Sequence, residues 1–131
     1  MKKRYKTDYF EKMNQLALIC NDNICLALKI VSSEISSPEE KPVSGRNIMA
    51  EIKESLEKDY FAPIEREDTF ILCQKLCEMS ENSFLLYNES KKVNVFYLPN
   101  NFHVLCGSLQ SVSKTTAEVF AQLKNIRNKV I

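Results

Sequence analysis

The strongest structural signal in the chain lies between Tyr9 and Val31, where the sequence is YFEKMNQLALICNDNICLALKIV. Its apolar residues recur at steps of three and four, which places them on one face of an α-helix. We predict a first helix from about Thr7 to Ser33, with Thr7 or Asp8 as its N-terminal cap. The residues on its apolar stripe are Tyr9, Met13, Leu16, Cys20, Asn23 or Ile24, Ala27 and Val31.

This predicted helix is apolar over more than one face. Leu18, Cys25, Leu26 and Leu28 lie off the main stripe. A helix with so wide an apolar surface is expected to be covered on more than one side. The first helix is therefore predicted to lie deep in the fold.

The residues that break helices are few and localised, which predicts a small number of long helices. Glycine occurs only at Gly45 and Gly107, and proline only at Pro38, Pro42, Pro63 and Pro99. We predict a loop from Ser32 to Gly45 and an extended connection from Lys91 to Leu98, although Val93, Val95 and Tyr97 alternate as in a strand.

Three more amphipathic segments follow the first. The apolar stripe of the second predicted helix consists of Ile48, Ile52 and Leu56. The third predicted helix begins at Pro63, and its stripe consists of Leu72 or Cys73, Leu76, Ser80, Phe84 and Tyr87. The fourth follows Pro99, and its stripe consists of Phe102, Leu105, Leu109, Val112, Thr116, Phe120, Leu123 and Val130. Helices of this kind with moderate connections pack most simply as an antiparallel bundle. We predict an all-α fold of about four helices in one domain, residues 1–131.

Composition narrows the classes of function. A chain of 131 residues with a net charge of +1 has no overall positive electrostatic field that would attract nucleic acid. The basic start, Met1 to Lys6, allows at most peripheral contact with an anionic membrane, and no apolar run is long enough to span one. Five cysteines with no CxxC pair and no signal-peptide pattern predict a cytoplasmic protein without disulfides.

The segment from Leu56 to Asp68, LEKDYFAPIERED, resembles the junction between the second and third helices of the PhoU-like family. In that family a leucine and a phenylalanine precede a run of proline, isoleucine, an acid, arginine, glutamate and aspartate. The residues that match this run best are Phe61, Pro63, Arg66, Glu67 and Asp68. A weaker likeness extends through Leu76 and Tyr87, and the helix order agrees from about Phe10 to Ile126.

The resemblance implies a regulator of phosphate transport that is built from repeated three-helix units and that in some members binds metal clusters through carboxylates. This chain has the length of one such unit plus the start of a second. In place of the family's acidic pair on helix two it has Pro42 to Arg46, and in place of the pair on helix three it has Cys77 and Glu81. Glu67, Asp68 and Glu81 are the candidate metal ligands that remain, and we predict that the site itself is lost, because a hard cation needs several converging oxygens.

Two other groups of residues could carry chemistry. Cys73 and Cys77 share a helix face and could form half of a zinc site, with further ligands from Cys20, Cys25, His103 or Cys106. His103 and Cys106 could pair as base and nucleophile, but no orienting group or oxyanion donor accompanies them. We interpret the cysteines as packing residues, and Arg66 with Glu67 and Asp68 as stabilising a helix start.

The sequence thus predicts a protein without catalytic activity and without a cofactor. We expect a regulatory or adaptor bundle whose partner is a protein, either a phosphate transporter or a second copy of itself. Since the chain is half the length of the two-unit family, we expect an uncovered apolar strip at Leu18, Cys25, Leu26 and Leu28 to form the partner interface. The alternative is a metal-binding bundle that uses the surviving carboxylates or cysteines.

Overall fold

The computed structural model describes residues 9–32, 41–58, 63–92 and 99–130, with the side chains of 63–66 and 124–130 left aside. Within these ranges the chain is all-helical, as predicted, and contains no strand. The four helices are α1 (Tyr9–Val31), α2 (Arg46–Lys58), α3 (Pro63–Ser90) and α4 (Phe102–Val130). The predicted cap at Thr7 or Asp8, Phe61, and the strand-like Val93, Val95 and Tyr97 lie outside the described residues.

Helix α1 is the central element of the bundle. Its most extensive contacts are with α3 and α4, while α2 packs on α3 and, more lightly, on α1. The residues buried on α1 confirm that it is covered on more than one side; they are Tyr9, Met13, Leu16, Ala17, Cys20, Asn23, Ile24, Leu26 and Ala27. The wide apolar surface seen in the sequence is the physical reason that one helix can hold two others.

Contacts between side chains fix the directions of the helices. Asn23 of α1 bonds Ser83 of α3, and Cys20 lies one turn earlier, beside Met79, so α1 and α3 run parallel. Lys12 pairs with Glu51 of α2. Further along α1, Leu16 lies beside Gly45, which immediately precedes α2. Helix α2 therefore runs against α1.

Helix α4 also runs against α1. The hydroxyl of Ser113 donates to Asn21 Oδ1 at 2.8 Å, and Gln110, one turn earlier on α4, lies beside Cys25, one turn later on α1. Successive helices consequently alternate in direction, which is the arrangement that short connections favour.

One main apolar cluster unites all four helices. It includes Met13 and Leu16 from α1, Ile52 from α2, Leu76 from α3 and Phe120 from α4. A smaller cluster of Leu26, Ala27 and Tyr87 joins the far ends of α1 and α3. Full burial of each large apolar side chain contributes ~1.5–3 kcal/mol, so these clusters supply the main force that holds the bundle together.

A polar contact fixes the segment that leads into α2. The Asn23 side chain is 1% exposed, and its amide donates to the carbonyl oxygen of Val43 at 2.8 Å. Its Oδ1 accepts from the Val43 backbone amide at 3.0 Å. Because both backbone groups of Val43 bond one side chain, Asn23 fixes the position of the chain three residues before Arg46, where α2 begins.

The predicted buried stripe of α4 is partly wrong. Phe120 is buried as expected, but Leu105 and Val112 are exposed. The helix packs on α1 through a neighbouring stripe that includes Ser113, Ala117 and Phe120. The buried Ser113 hydroxyl directs its one hydrogen toward Asn21 Oδ1 at 2.8 Å and the carbonyl oxygen of Gln110 at 3.1 Å, a pairing that an apolar pattern does not reveal.

Candidate docking surfaces

An apolar groove lies between α2 and α3. Its volume is about 450 Å³, and its apolar lining comprises Met49, Ile52, Leu56, Phe70, Cys73 and Cys77. Ile52, Leu56, Cys73 and Cys77 belong to the main core, whereas the Phe70 side chain is 48% exposed. The groove is thus an opening of the core to solvent, with one aromatic ring at its edge.

The rims of this groove carry opposite charges. Lys53 lies on the α2 rim, and Glu78 and Glu81 lie on the α3 rim. Glu81 accepts from Arg46 Nη2 at 3.1 Å, and Glu78 lies 3.6 Å from Lys75 Nζ. An apolar floor between rims of opposite sign suits an amphipathic helix with a charged residue on each flank.

The cysteines of the groove are held as neutral thiols. Burial raises the pKa of Cys73 to about 12, with a smaller contribution from Cys77. Burial also raises the pKa of Cys77, although nearby Lys53 opposes the effect. Both side chains belong to the main apolar core, where they pack as small apolar residues, as the sequence predicted.

His103 and Cys106 line a shallow depression between α1 and α4. Its volume is about 280 Å³, and Cys25, Leu28 and Gln110 also line it. The His103 Nδ1 atom lies 2.8 Å from the carbonyl oxygen of Asn100, so a backbone group, not a carboxylate, orients the ring. Burial raises the pKa of the Cys106 thiol, which disfavours the reactive thiolate.

The predicted metal ligands are not brought together. Glu67 and Asp68 are exposed near the start of α3, whereas Glu81 is about four turns further along the same helix, roughly 20 Å away. Nowhere in the described ranges do three His, Cys, Asp or Glu side chains approach closely enough to hold an ion. Cys25, His103 and Cys106 line one depression and Cys73 and Cys77 line the α2–α3 groove, so the candidate zinc ligands are divided between two separate places.

The predicted interface residues of α1 do not form one exposed strip. Leu26 is buried in the smaller cluster with Ala27 and Tyr87, which corrects the expectation that it is uncovered. Cys25 and Leu28 are half-buried beside α4, and Leu18 alone of the four is exposed. The reason is that α4 covers Cys25 and Leu28, while Tyr87 of α3 packs against Leu26. A role for Leu18 in binding a partner stays a prediction.

Apart from Leu18 and Val43, the exposed large apolar residues of the described ranges lie on α3 and α4, where the sequence did not predict exposure. On α3 they include Phe70, which is 48% exposed, and Ile71, which is 51% exposed. A signal for them was present, because Phe70, Ile71 and Leu72 are consecutive and a helix cannot bury three consecutive side chains on one face. In the segment from Leu56 to Asp68, Pro63 is the first residue of α3, and the side chains of Glu67 and Asp68 are exposed to solvent.

The fold and these surfaces define a helical bundle with apolar faces that its own helices leave open. None of the described helices combines the length and the apolar character that crossing a bilayer requires. Comparison with known proteins gives no match to the chain among protein-family models, curated protein sequences or solved structures.

Proposed function

We propose that this chain is a non-catalytic regulatory adaptor that binds an amphipathic helix of a protein partner in the groove between α2 and α3. The observation that carries the proposal is the groove itself, an open extension of the core with Phe70 at its edge. Grooves of this kind bind helices by burying an apolar face in them.

The charges on the rims specify the partner further. A helix in the groove would place basic residues beside Glu78 on one flank and an acidic residue beside Lys53 on the other. Charges at the rim of an interface select the partner and its orientation more than they add affinity. We therefore propose a partner helix with an apolar face and flanks of opposite charge.

The link to phosphate transport rests on the PhoU-like segment from Leu56 to Asp68 alone. On that likeness we propose that the partner helix belongs to a phosphate transport system and that the chain acts in the cytoplasm. Free thiols at Cys20, Cys73 and Cys77 support a reducing compartment.

We expect phosphate uptake to depend on the exposed ring in the groove. In native cells that lack the chain, wild-type protein should restore the regulated uptake of radiolabelled phosphate, whereas Phe70→Glu should fail, because a carboxylate would have to be buried against the partner's apolar face. Loss of one well-buried aromatic contact weakens binding by ~2 kcal/mol or more, about thirtyfold.

Ile71→Glu provides the matched control, since Ile71 is adjacent to Phe70 and about equally exposed but does not line the groove. It should restore uptake fully. Unchanged uptake in cells without the chain would refute the phosphate link. Full restoration by Phe70→Glu, with the protein present at normal level, would refute the groove as the docking site.

A further inference from the structure

Helix α4 has an apolar edge that no described part of the chain covers. Its members are Leu105, Val112 and Val119, which are 62%, 59% and 48% exposed. They are seven residues apart, close to two helical turns, and so they lie along one side of the helix. We call these three residues the α4 edge.

The α4 edge is half of a heptad pattern. Apolar residues alternate at steps of three and four through Phe102, Leu105, Leu109, Val112, Thr116, Val119 and Leu123, and in the sequence the alternation continues at Ile126 and Val130. Thr116 alone departs from the apolar character. A pattern sustained over four heptads is typical of a helix that pairs with another helix along its whole length.

The described part of the chain covers only one side of this pattern. Phe102, Leu109, Thr116 and Leu123 are half-buried, whereas the alternate positions of the α4 edge remain exposed. Helix α1 is centred on a different stripe of α4, the one that includes Ser113, Ala117 and Phe120. A second helix laid along the α4 edge would therefore complete the seam without displacing α1.

The charges of α4 select the occupant and its direction. No Asp, Glu, Lys or Arg occurs between Val93 and Ser113, whereas Lys114, Lys124, Arg127 and Lys129 against the single acid Glu118 make the later part of α4 basic. Two parallel copies of α4 would bring their basic halves together, which is unfavourable. Two antiparallel copies would instead set each basic half beside the uncharged half of the other.

The antiparallel register also aligns the exposed residues. When Val112 lies opposite Val119 of the partner subunit, Val119 lies opposite Val112 of the partner subunit, and the two-fold axis passes near Thr115. In this register the residues flanking the α4 edge, Ser108, Thr115 and Gln122, are uncharged, so no like charges meet across the seam. The pattern is self-complementary.

From this complementarity we infer that the α4 edge binds a second copy of this chain, α4 against α4 and antiparallel. The contact is of the closed two-fold kind, so it ends at a dimer and does not propagate into a filament. Helix α4 is ~44 Å long, which is sufficient for a seam of several heptads. The inference does not depend on the phosphate link or on the α2–α3 groove.

The test is the mass of the full chain in solution, measured by sedimentation equilibrium over a wide concentration range. Wild type should approach twice the 15.1 kDa of one chain as concentration rises. Val112→Glu and Val119→Lys should each raise the dimer dissociation constant at least about tenfold, because each would bury an unpaired charge. The double variant with both changes should recover dimerisation, since each glutamate then faces a lysine across the two-fold axis.

Leu85→Glu is the matched control, because Leu85 is exposed to a similar degree, 50%, on α3. It should dimerise as wild type does, and circular dichroism should show equal helix content in all variants. A wild-type chain that stays monomeric, or single variants that dimerise unchanged, would overturn the inference. Failure of the double variant to recover, with both single variants monomeric, would overturn the antiparallel register.

Discussion

Replacing Asn23 by alanine is expected to lower the free energy of unfolding by about 3 kcal/mol. The substitution removes the partners of the Val43 amide and carbonyl and leaves a cavity among Ser83 and the core. An unsatisfied buried polar group costs ~1–3 kcal/mol. The buried Ser83 hydroxyl would lose the donor that Asn23 supplies, and the two backbone groups of Val43 would lose part-buried partners. For a domain whose total stability is ~5–15 kcal/mol, that is a large fraction.

Chemical denaturation of the purified protein measures this effect, with Asn82→Ala as the control. Asn82 is exposed to solvent on α3. Alanine favours a helix more than asparagine does, so Asn82→Ala should leave stability unchanged or raise it slightly. Equal stability of Asn23→Ala and wild type would show that the segment before α2 is not fixed by this residue.

The second large effect is expected at Gly45, which is buried where α1, α2 and α3 meet. A methyl group at this position would lie 2.5 Å from Ser80 Oγ and 2.9 Å from Leu16 Cδ2. Contacts this short force side chains or backbone to move, so Gly45→Ala should destabilise the protein by about 2 kcal/mol. The carbonyl oxygen of Gly45 also accepts the first helical bond of α2, from Met49 N at 2.9 Å, so a backbone shift would disturb the start of the helix.

Gly107→Ala is the matched control because, apart from the chain neighbours and the backbone of α4 itself, no described atom lies within 4 Å of the added methyl group. In the interior of α4 the substitution should stabilise the protein by about 1 kcal/mol. Ser80→Ala removes the closest contact, together with a buried hydroxyl that has no hydrogen-bond partner among the described residues. Combined with Gly45→Ala, it should recover at least about half of the lost stability. If Gly45→Ala and Gly107→Ala changed the free energy of unfolding equally, that result would contradict the close packing at Gly45.

The order of the helices could be predicted because apolar periodicity and helix breakers act locally. The predicted span of α1, Thr7 to Ser33, contains the observed Tyr9–Val31, and Pro63 begins α3 as expected. The multiple coverage of α1 followed from the width of its apolar surface. These features depend on residues close in sequence, which is the range over which a pattern carries information.

The position of α4 could not be predicted from its own sequence. The helix has two overlapping apolar stripes, and periodicity alone does not say which of them faces α1. Its rotation is fixed by Ser113, whose hydroxyl bonds Asn21 across an interval of 92 residues. The open strip predicted at Leu18, Cys25, Leu26 and Leu28 rested instead on the length of the chain, and length does not show which sides of α1 the other helices cover.

The candidate site shows the same division between local and long-range information. That Cys73 and Cys77 pack in the core followed from their place on an apolar stripe. The groove beside them did not, because it depends on how far α2 is offset along α3. Phe70 could have been singled out from the run Phe70 to Leu72, but only as one of three candidates for exposure.

The central position of α1 underlies the groove, the α4 edge and both stability predictions, and native-state hydrogen exchange tests it directly. Amides between Leu16 and Ala27 should exchange most slowly, at rates that report global unfolding, because α3 and α4 both cover this part of the helix. Amides of α2, which has fewer contacts, should exchange faster. Slowest exchange in α2, with fast exchange between Leu16 and Ala27, would contradict the arrangement of helices described above.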